Sequence, residues 1–313
     1  MKLKDKLLNV FAPVTLFEMV PPAEGRPEAI ERSIEEVKRI RALADAINLP
    51  EIRDENRGEA RAFEFIPRVE PRALAERIAR EAGTEVLINR GVVYEAGQLG
   101  WFRETRERFG VESVVLVGGE SSRFAYPGPT VLEAAEQIHA AGLPLTLGGI
   151  TIPSRLGEAE RIRRKNAAGL VFFTTQVLFD SNDIVGLVQS LNGLEARIFL
   201  SFAPLSQPRD LEFLRWLGVD VPQNLDQFLF QNHAAEGAAV AREQAENALA
   251  RSLDIAQRIL LDVFDNLPPD PPPLGLNVMH INKRNFAPAV RMLEKLGHLY
   301  GNLVAARQRA SLA

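Results

Sequence analysis

Short apolar runs alternate with longer amphipathic runs along most of this sequence. The run 14–20 (VTLFEMV) is typical of a buried strand, and two prolines follow it. In 27–44, apolar residues recur at helical spacing after Pro27 in the first turn. The same pairing of strand and helix recurs along the chain. The predicted strands are 14–20, 46–49, 85–89, 113–117, 143–150, 171–175, 197–202 and 276–281. The predicted helices are 27–44, 71–82, 99–109, 130–141, 158–168, 184–191, 210–217 and 287–296.

Eight strand–helix units in alternation predict a closed (β/α)8 TIM barrel, with an open doubly wound sheet as the alternative. The segment 224–266 is too long for a simple unit. Within it, 236–264 is typical of one long helix, which the proline-rich run 268–273 ends. We therefore expect a single barrel domain over 1–313 with a helical insertion at about 224–266, between strands seven and eight.

The composition is that of an ordinary soluble globular protein, with 46% hydrophobic and 25% charged residues. There are 37 basic and 41 acidic side chains, so the chain lacks the basic footprint of a nucleic-acid-binding protein. Cysteine is absent, which excludes disulfides, thiolate metal sites and cysteine nucleophiles. The four histidines show no ligand spacing, so we expect no metal site. No segment is typical of an export signal or a membrane span, and we expect a cytoplasmic protein with no membrane partner.

Catalytic groups of such barrels lie at the carboxyl ends of the strands and in the loops that follow. Polar side chains at those positions are the candidates for a site. They are Glu18, Asn48, Glu51, Asn89, Glu120, Gln176, Asp180, Asn282 and Lys283. His280, at the end of the last strand, is the only histidine retained as a pocket candidate.

Glu18 is the most informative of these candidates. Strand alternation places it on the same face as Leu16 and Val20, where a carboxylate is costly unless it is paired or lies in a functional cavity. Partial burial would raise its pKa, which suits a general acid. The alternative is a glutamate at the rim that points to solvent.

Glu120 and Gln176 are weaker candidates for a site at the same end of the barrel, which is here called its mouth. Glu120 follows VVLVGG, whose two glycines would let a ligand approach the backbone, although a solvated acid after a turn fits equally well. Gln176, in FFTTQVLFD, needs hydrogen-bond partners that either a heterocycle or neighbouring backbone could provide. The basic residues of 161–165 fit a phosphate contact or a solvated helix face.

Several segments resemble methylenetetrahydrofolate reductases over roughly residues 14–296. FEMVPP is similar to their FEFFPP element, TTQVLFD to ITQFFFD, and MHINKRN to YTLNR. SFAPLSQPRDLEFLRWLGVDVP resembles their seventh-strand region, which leads into a similar helical insertion. Each similarity alone is weak, but the combination is specific.

The resemblance implies hydride reduction of 5,10-methylenetetrahydrofolate to 5-methyltetrahydrofolate. Glu18 then matches the acid that protonates the folate, and Glu120 matches an aspartate near the pterin and the developing cation. Gln176 matches the amide that contacts folate and nicotinamide, and Lys283 matches an arginine that contacts folate. A carboxylate near an iminium and a proton donor for ring opening suit this chemistry.

The sequence differs from this family in segments that contact FAD, the cofactor that most members hold. AINLPE stands in place of SVTYGA, VLIN in place of HLTC, VGGE in place of LRGD, and TIPS in place of AYPE. Only Arg164 and Lys165 persist at the flavin-phosphate position. We therefore favour a flavin-free enzyme that takes hydride directly from NADH or NADPH, with Asn48, Gln176, Arg164 and Lys165 as candidate cofactor-binding residues.

Two other functions stay open at this point. The altered flavin elements also fit a non-catalytic paralogue that binds a folate or pterin. They fit, too, a barrel reductase that acts on a different one-carbon carrier. For the favoured reductase, the expected partner is a tetrahydrofolate-type small-molecule substrate.

Overall fold

Eight parallel strands close into a barrel in the order of the sequence, each paired with the next and β8 paired with β1. The computed structural model describes residues 2–54, 64–119, 124–230, 238–281 and 285–312. The predicted (β/α)8 barrel is confirmed, and the alternative of an open sheet is wrong. The strands are β1 (Thr15–Met19), β2 (Ala46–Pro50), β3 (Glu85–Gly91), β4 (Ser113–Val117), β5 (Thr146–Thr151), β6 (Leu170–Val177), β7 (Arg197–Phe202) and β8 (Leu274–His280).

Helices precede the first strand, connect successive strands and follow the last one. They are α1 (Leu3–Lys6), α2 (Pro27–Ile40), α3 (Pro71–Ala82), α4 (Leu99–Glu107), α5 (Val131–Ala140), α6 (Glu158–Ala167), α7 (Asn182–Ser190), α8 (Pro208–Trp216), α9 (Leu225–Leu229), α10 (Ala238–Asp265) and α11 (Phe286–Leu312). Two of them, α9 and α10, lie between β7 and β8 with α8, where the sequence predicts a helical insertion.

The last helix differs most from its prediction. The pattern predicts an end at residue 296, before Gly297, but α11 continues through Gly297 to Leu312. Tyr300 explains the difference, because its ring is buried and its hydroxyl donates to the carbonyl of Leu274 at 2.8 Å. Packing of this turn against β8 outweighs the roughly 1 kcal/mol that a glycine costs inside a helix.

The two faces of the barrel strands carry different side chains. Outward residues such as Phe17, Ile47 and Ile88 pack with the apolar faces of the helices in one large core. Inward residues near the amino ends of the strands form a second apolar cluster, which Leu3 and Leu7 of the amino-terminal segment cover. The inward members from the strands are Leu16, Ala46, Leu87, Val115, Phe172 and Phe199. This cluster is the floor of the barrel.

Two glycines make room for the largest side chains of the floor. The rings of Phe172 and Phe199 meet edge to face, with their centroids 6.0 Å apart. A Cβ atom at Gly148 would lie 2.3 Å from the Phe172 ring, and one at Gly275 would lie 2.3 Å from the Phe199 ring. The two aromatic rings thus occupy the space that side chains at β5 and β8 would otherwise take.

Arg197 fastens the amino-terminal segment to the floor. Its fully buried guanidinium donates to the carbonyls of Leu7 (2.9 Å), Lys6 (2.8 Å) and Asn9 (2.7 Å), and also to the carbonyl of Leu274. Carbonyl oxygens therefore compensate the buried cation. The interior of the barrel is therefore closed at its amino end.

The part of the chain that the structure describes shows neither a membrane-spanning helix nor a metal-binding cluster. None of its helices is long and apolar enough to cross a membrane. Within the same residues, no group of three or more histidine, aspartate or glutamate side chains is placed to hold a metal ion.

Candidate functional site

Directly above the floor, several of the strands place polar side chains inside the barrel, whereas Val117 in β4 and Ile150 in β5 keep it apolar there. Side chains alternate along a strand, so the residues two positions beyond the floor also face inward. In β1, β2 and β3 these residues are Glu18, Asn48 and Asn89, and in β7 the residue is Ser201. Asn277 follows Gly275 in β8 by the same spacing. An interior that is apolar at one end and polar at the other is suited to a ligand that enters from the carboxyl ends of the strands.

Glu18 lies within hydrogen-bonding reach of two carboxamides. The β1–β2 register sets it beside Asn48, whose Nδ2 donates to its Oε2 at 2.9 Å. Burial raises the pKa of Glu18 from its ordinary 4.5 to about 7, although part of the residue stays exposed and hydrogen bonds from Asn277 and Asn48 act in the opposite direction. A carboxyl group with this pKa is present in both protonation states near pH 7. It is able to give or take a proton there.

Asn277 extends this arrangement across the neighbouring strands. Its Nδ2 donates to the hydroxyl of Ser201 at 3.0 Å, and both residues are fully buried. Ser201, Asn277, Glu18 and Asn48 thus form a hydrogen-bonded row across β7, β8, β1 and β2, here called the polar belt. The sequence search missed Asn277 and Ser201 because it considered the strand ends. The signal was available, since LGLNVMH places an amide inside an apolar strand just as TLFEMV places a carboxylate.

Three amide oxygens of this layer are buried without a donor. Among the described residues, the Oδ1 atoms of Asn48, Asn89 and Asn277 meet no hydrogen-bond partner. A buried acceptor that lacks a donor costs about 1–3 kcal/mol, and three of them lie together in this one layer. These oxygens are the acceptors that the polar belt and its neighbour in β3 offer to a ligand.

Gln176 lies where the sequence places it, near the carboxyl end of β6, and is partly exposed. The register between β6 and β7 shifts between Thr174 and Val177, which marks a bulge of one residue. Bulges at strand ends re-aim side chains and are common beside functional sites. The bulge therefore sets the direction of the Gln176 side chain. Beyond it, Phe179, Met279 and Ile281 pack against an apolar cluster that includes residues of α8, α9 and α10, and this gives the mouth one apolar wall.

Glu51 is engaged in a structural network. Its carboxylate accepts from the guanidinium of the buried Arg90 at 2.7 Å and from the backbone N–H of Gly91 at 2.9 Å. The Arg90 guanidinium also lies over the Trp101 ring, 4.5 Å from its centroid. The acid therefore joins the end of β2 to the end of β3.

Asp180 and His280 are placed differently from the belt. The Oδ1 atom of Asp180 accepts from the backbone N–H of Asn182, where α7 begins. His280 follows the outward parity of β8 and stacks on Phe17, with their centroids 6.3 Å apart, while Phe286 meets it edge to face. Its ring belongs to the layer between barrel and helices.

Arg164 and Lys165 have protein partners other than the residues of the polar belt. Arg164 is exposed, lies 4.0 Å from Glu160, and lines a surface hollow with Gly169, which precedes β6. This position is near the amino end of the barrel, whereas Glu18 is near the carboxyl end of β1. The Nζ atom of Lys165 donates to the carbonyl of Ile150 at 3.1 Å, and burial lowers the pKa of its ammonium.

Glu120, Asn282 and Lys283 lie outside the described residues, so their roles stay predictions. Packing within the chain explains why one of the two residues before Glu120, Gly119, is a glycine. A Cβ atom at Gly119 would lie 2.3 Å from the Tyr126 ring, so this glycine accommodates a ring of the chain. Close approach of a ligand is not needed to explain it.

Many solved structures have a similar fold, and one of them matches nearly all of this chain. The match covers 95% of this chain and 99% of the other, with a TM-score of 0.71 and 19% sequence identity. That protein, from Clostridium thermocellum, is described as uncharacterized and as binding two copies of 5-methyl-5,6,7,8-tetrahydrofolic acid. The likeness shows the barrel fold. The sequence matches no protein-family model and no curated protein.

Proposed function

We propose that this protein reduces 5,10-methylenetetrahydrofolate to 5-methyltetrahydrofolate with hydride from NADH or NADPH. The observation that carries the proposal is Glu18, an acid with a pKa of about 7 inside the carboxyl half of a barrel, held by two carboxamides. The resemblance of the sequence to methylenetetrahydrofolate reductases supports it. So does the folate-binding barrel of similar fold.

Glu18 supplies the proton that this reaction consumes. The substrate carries a methylene bridge between N5 and N10. Transfer of the Glu18 proton to N10 breaks the bond from N10 to the methylene carbon and leaves an iminium cation at N5. The Glu18 carboxylate that results stands near this cation and stabilises it, since two opposite charges interact strongly in a site with little water.

The second step adds a hydride to the iminium carbon. A reduced nicotinamide supplies the hydride and leaves in its oxidised form. The methylene group then becomes a methyl group on N5. In this scheme the amide of Gln176 orients the folate against the nicotinamide, and Asn48 holds the Glu18 carboxyl in place. Glu120 and Lys283 keep the roles implied by the resemblance, near the pterin and on the folate.

We further propose that the hydride passes without FAD. A flavin diphosphate needs cations that face it, and each of the two candidates kept in the sequence has a protein partner. Lys165 is bound to a backbone carbonyl of β5, and Arg164 lies beside Glu160 near the amino end of the barrel. This geometry supports the flavin-free scheme.

An anaerobic assay tests the reaction. Purified protein is mixed with NADH or NADPH and 5,10-methylenetetrahydrofolate, and 5-methyltetrahydrofolate is measured by chromatography. We expect product that depends on all components, a loss of at least about 100-fold for Glu18→Gln, and normal turnover for Glu107→Gln, which changes an exposed acid at the end of α4. Unchanged turnover of Glu18→Gln would show that the acid is misassigned. An absorbance spectrum with flavin bands would refute the flavin-free scheme.

A second function is a pterin-binding protein without turnover. The specific observation in its favour is that the similar barrel is described as binding 5-methyltetrahydrofolic acid. It predicts binding of 5-methyltetrahydrofolate by calorimetry together with no oxidation of NADH or NADPH. A reductase for another one-carbon carrier would instead oxidise the nicotinamide only when that carrier replaces the folate.

A further inference from the structure

The orientation of two amides determines what kind of ligand edge the barrel accepts. Asn48 gives its Nδ2 to the carboxylate of Glu18, and Asn277 gives its Nδ2 to the hydroxyl of Ser201. Each amide therefore directs its donor to a protein partner. Its oxygen is left as the atom for a ligand, and both side chains are fully buried.

The same atoms describe the ligand. Both Oδ1 atoms lack a donor among the described residues, and Asn89 adds a third such oxygen. Each buried acceptor gains when a ligand supplies an N–H group and loses when a ligand carbonyl faces it. The layer therefore favours a ring system with at least two N–H groups along one edge.

We infer that Asn48 and Asn277 are the specificity residues of the site and accept N–H groups of a 2-amino-4-oxo tetrahydropteridine. The inference rests on the proposed function and names how its substrate is recognised. A reduced pterin offers an exocyclic amine beside a ring N–H. The pyrimidine edge of a flavin offers one N–H between two carbonyls, and these carbonyls would face acceptor atoms.

Binding measurements with two ligands test the inference. The probes are 5-methyltetrahydrofolate and its analogue in which hydrogen replaces the exocyclic amine. Their Kd values are measured by anaerobic calorimetry for the wild type and for Asn48→Leu and Asn277→Leu. We expect the wild type to prefer the amine by about 10- to 100-fold. At least one variant should reduce this preference to about threefold or less, because the acceptor is gone.

Asn302→Leu is the matched control, since it makes the same exchange at an exposed position of α11 and should keep the full preference. The comparison of the two ligands on one variant cancels effects that do not involve the amine. If both belt variants keep the wild-type preference, the inference is wrong. If neither variant folds, the wild type still decides, because equal affinity for the two probes, or for 5-methyltetrahydrofolate and flavin mononucleotide, overturns it.

Turnover separates this inference from the proposed function. A wild type that prefers the amine through Asn48 or Asn277 but forms no product would refute the reductase and support the recognition. A wild type that forms product but ignores the amine would refute the recognition alone. Absence of binding to any tetrahydrofolate would refute both.

Discussion

The carboxyl of Glu18 makes the stability of the fold depend on pH, and Glu18→Gln removes that dependence. The pKa is about 7 in the folded protein against an ordinary 4.5, a difference equivalent to about 3 kcal/mol. Because the folded pKa is raised, the contribution is fully present below pH 4.5 and is lost as the pH rises through 7. Most of the loss, about 2–3 kcal/mol, falls between pH 5 and pH 8. Glutamine has no proton to lose, so the variant avoids it.

Urea unfolding at pH 5 and pH 8 measures this difference. The free energy of unfolding of Glu18→Gln minus that of the wild type should rise by about 2–3 kcal/mol from the lower to the higher pH. Subtraction removes the titration of all other groups, provided that they are unchanged. Glu107→Gln, at an exposed position of α4, should show no such rise. A difference that is the same at both pH values would show that the Glu18 carboxyl is solvated in the folded protein.

Three further outcomes are expected. The kcat/KM of the wild type, measured from nicotinamide oxidation, should fall about tenfold per pH unit above 7, since the acid form of Glu18 is lost; a flat profile to pH 9 would contradict its role. Gly275→Ala should lower the free energy of unfolding in urea by about 1–3 kcal/mol, because the new Cβ meets the Phe199 ring. Gly186→Ala, in open space on α7, should be neutral or stabilising by up to about 1 kcal/mol. Equal effects of the two substitutions would disprove the packing explanation. Arg197→Met should cost about 3 kcal/mol or more in the same assay because several buried carbonyls lose their donor, and a cost below about 1 kcal/mol would show that water replaces it.

Most of the fold could be predicted from the sequence because each strand–helix unit has its own local pattern. The strand Ser113–Val117 and the helix Pro71–Ala82 have the predicted bounds, since runs of valine and a proline start are strong local signals. The end of α11 could not be predicted. Gly297 is a local signal for an end, but the contact of Tyr300 with β8 depends on residues far apart in the chain.

Residues of the candidate site could be predicted where the alternation of side chains within a single strand indicates them. Alternation within β1 places Glu18 on the same face as Leu16, and the structure turns this face into the barrel and raises the pKa of the carboxyl group. Glu51 shows the limit, because nothing in its own segment indicates that Arg90, 39 positions away, takes up its carboxylate. Asn277 was missed for another reason. Its strand has the same kind of signal as β1, but the residue lies deeper than the strand ends where catalytic groups are usual.

The hydrogen bonds from Arg197 to the amino-terminal segment have a consequence for synthesis of the chain. The carbonyl of Leu7 accepts from a residue that is synthesised 190 positions later. At 5–20 residues per second, a ribosome needs roughly 10–40 s to reach it. During that interval the apolar face of α1 has no finished floor to cover. We therefore expect the barrel to close only near the end of translation, after β7 and β8 have emerged.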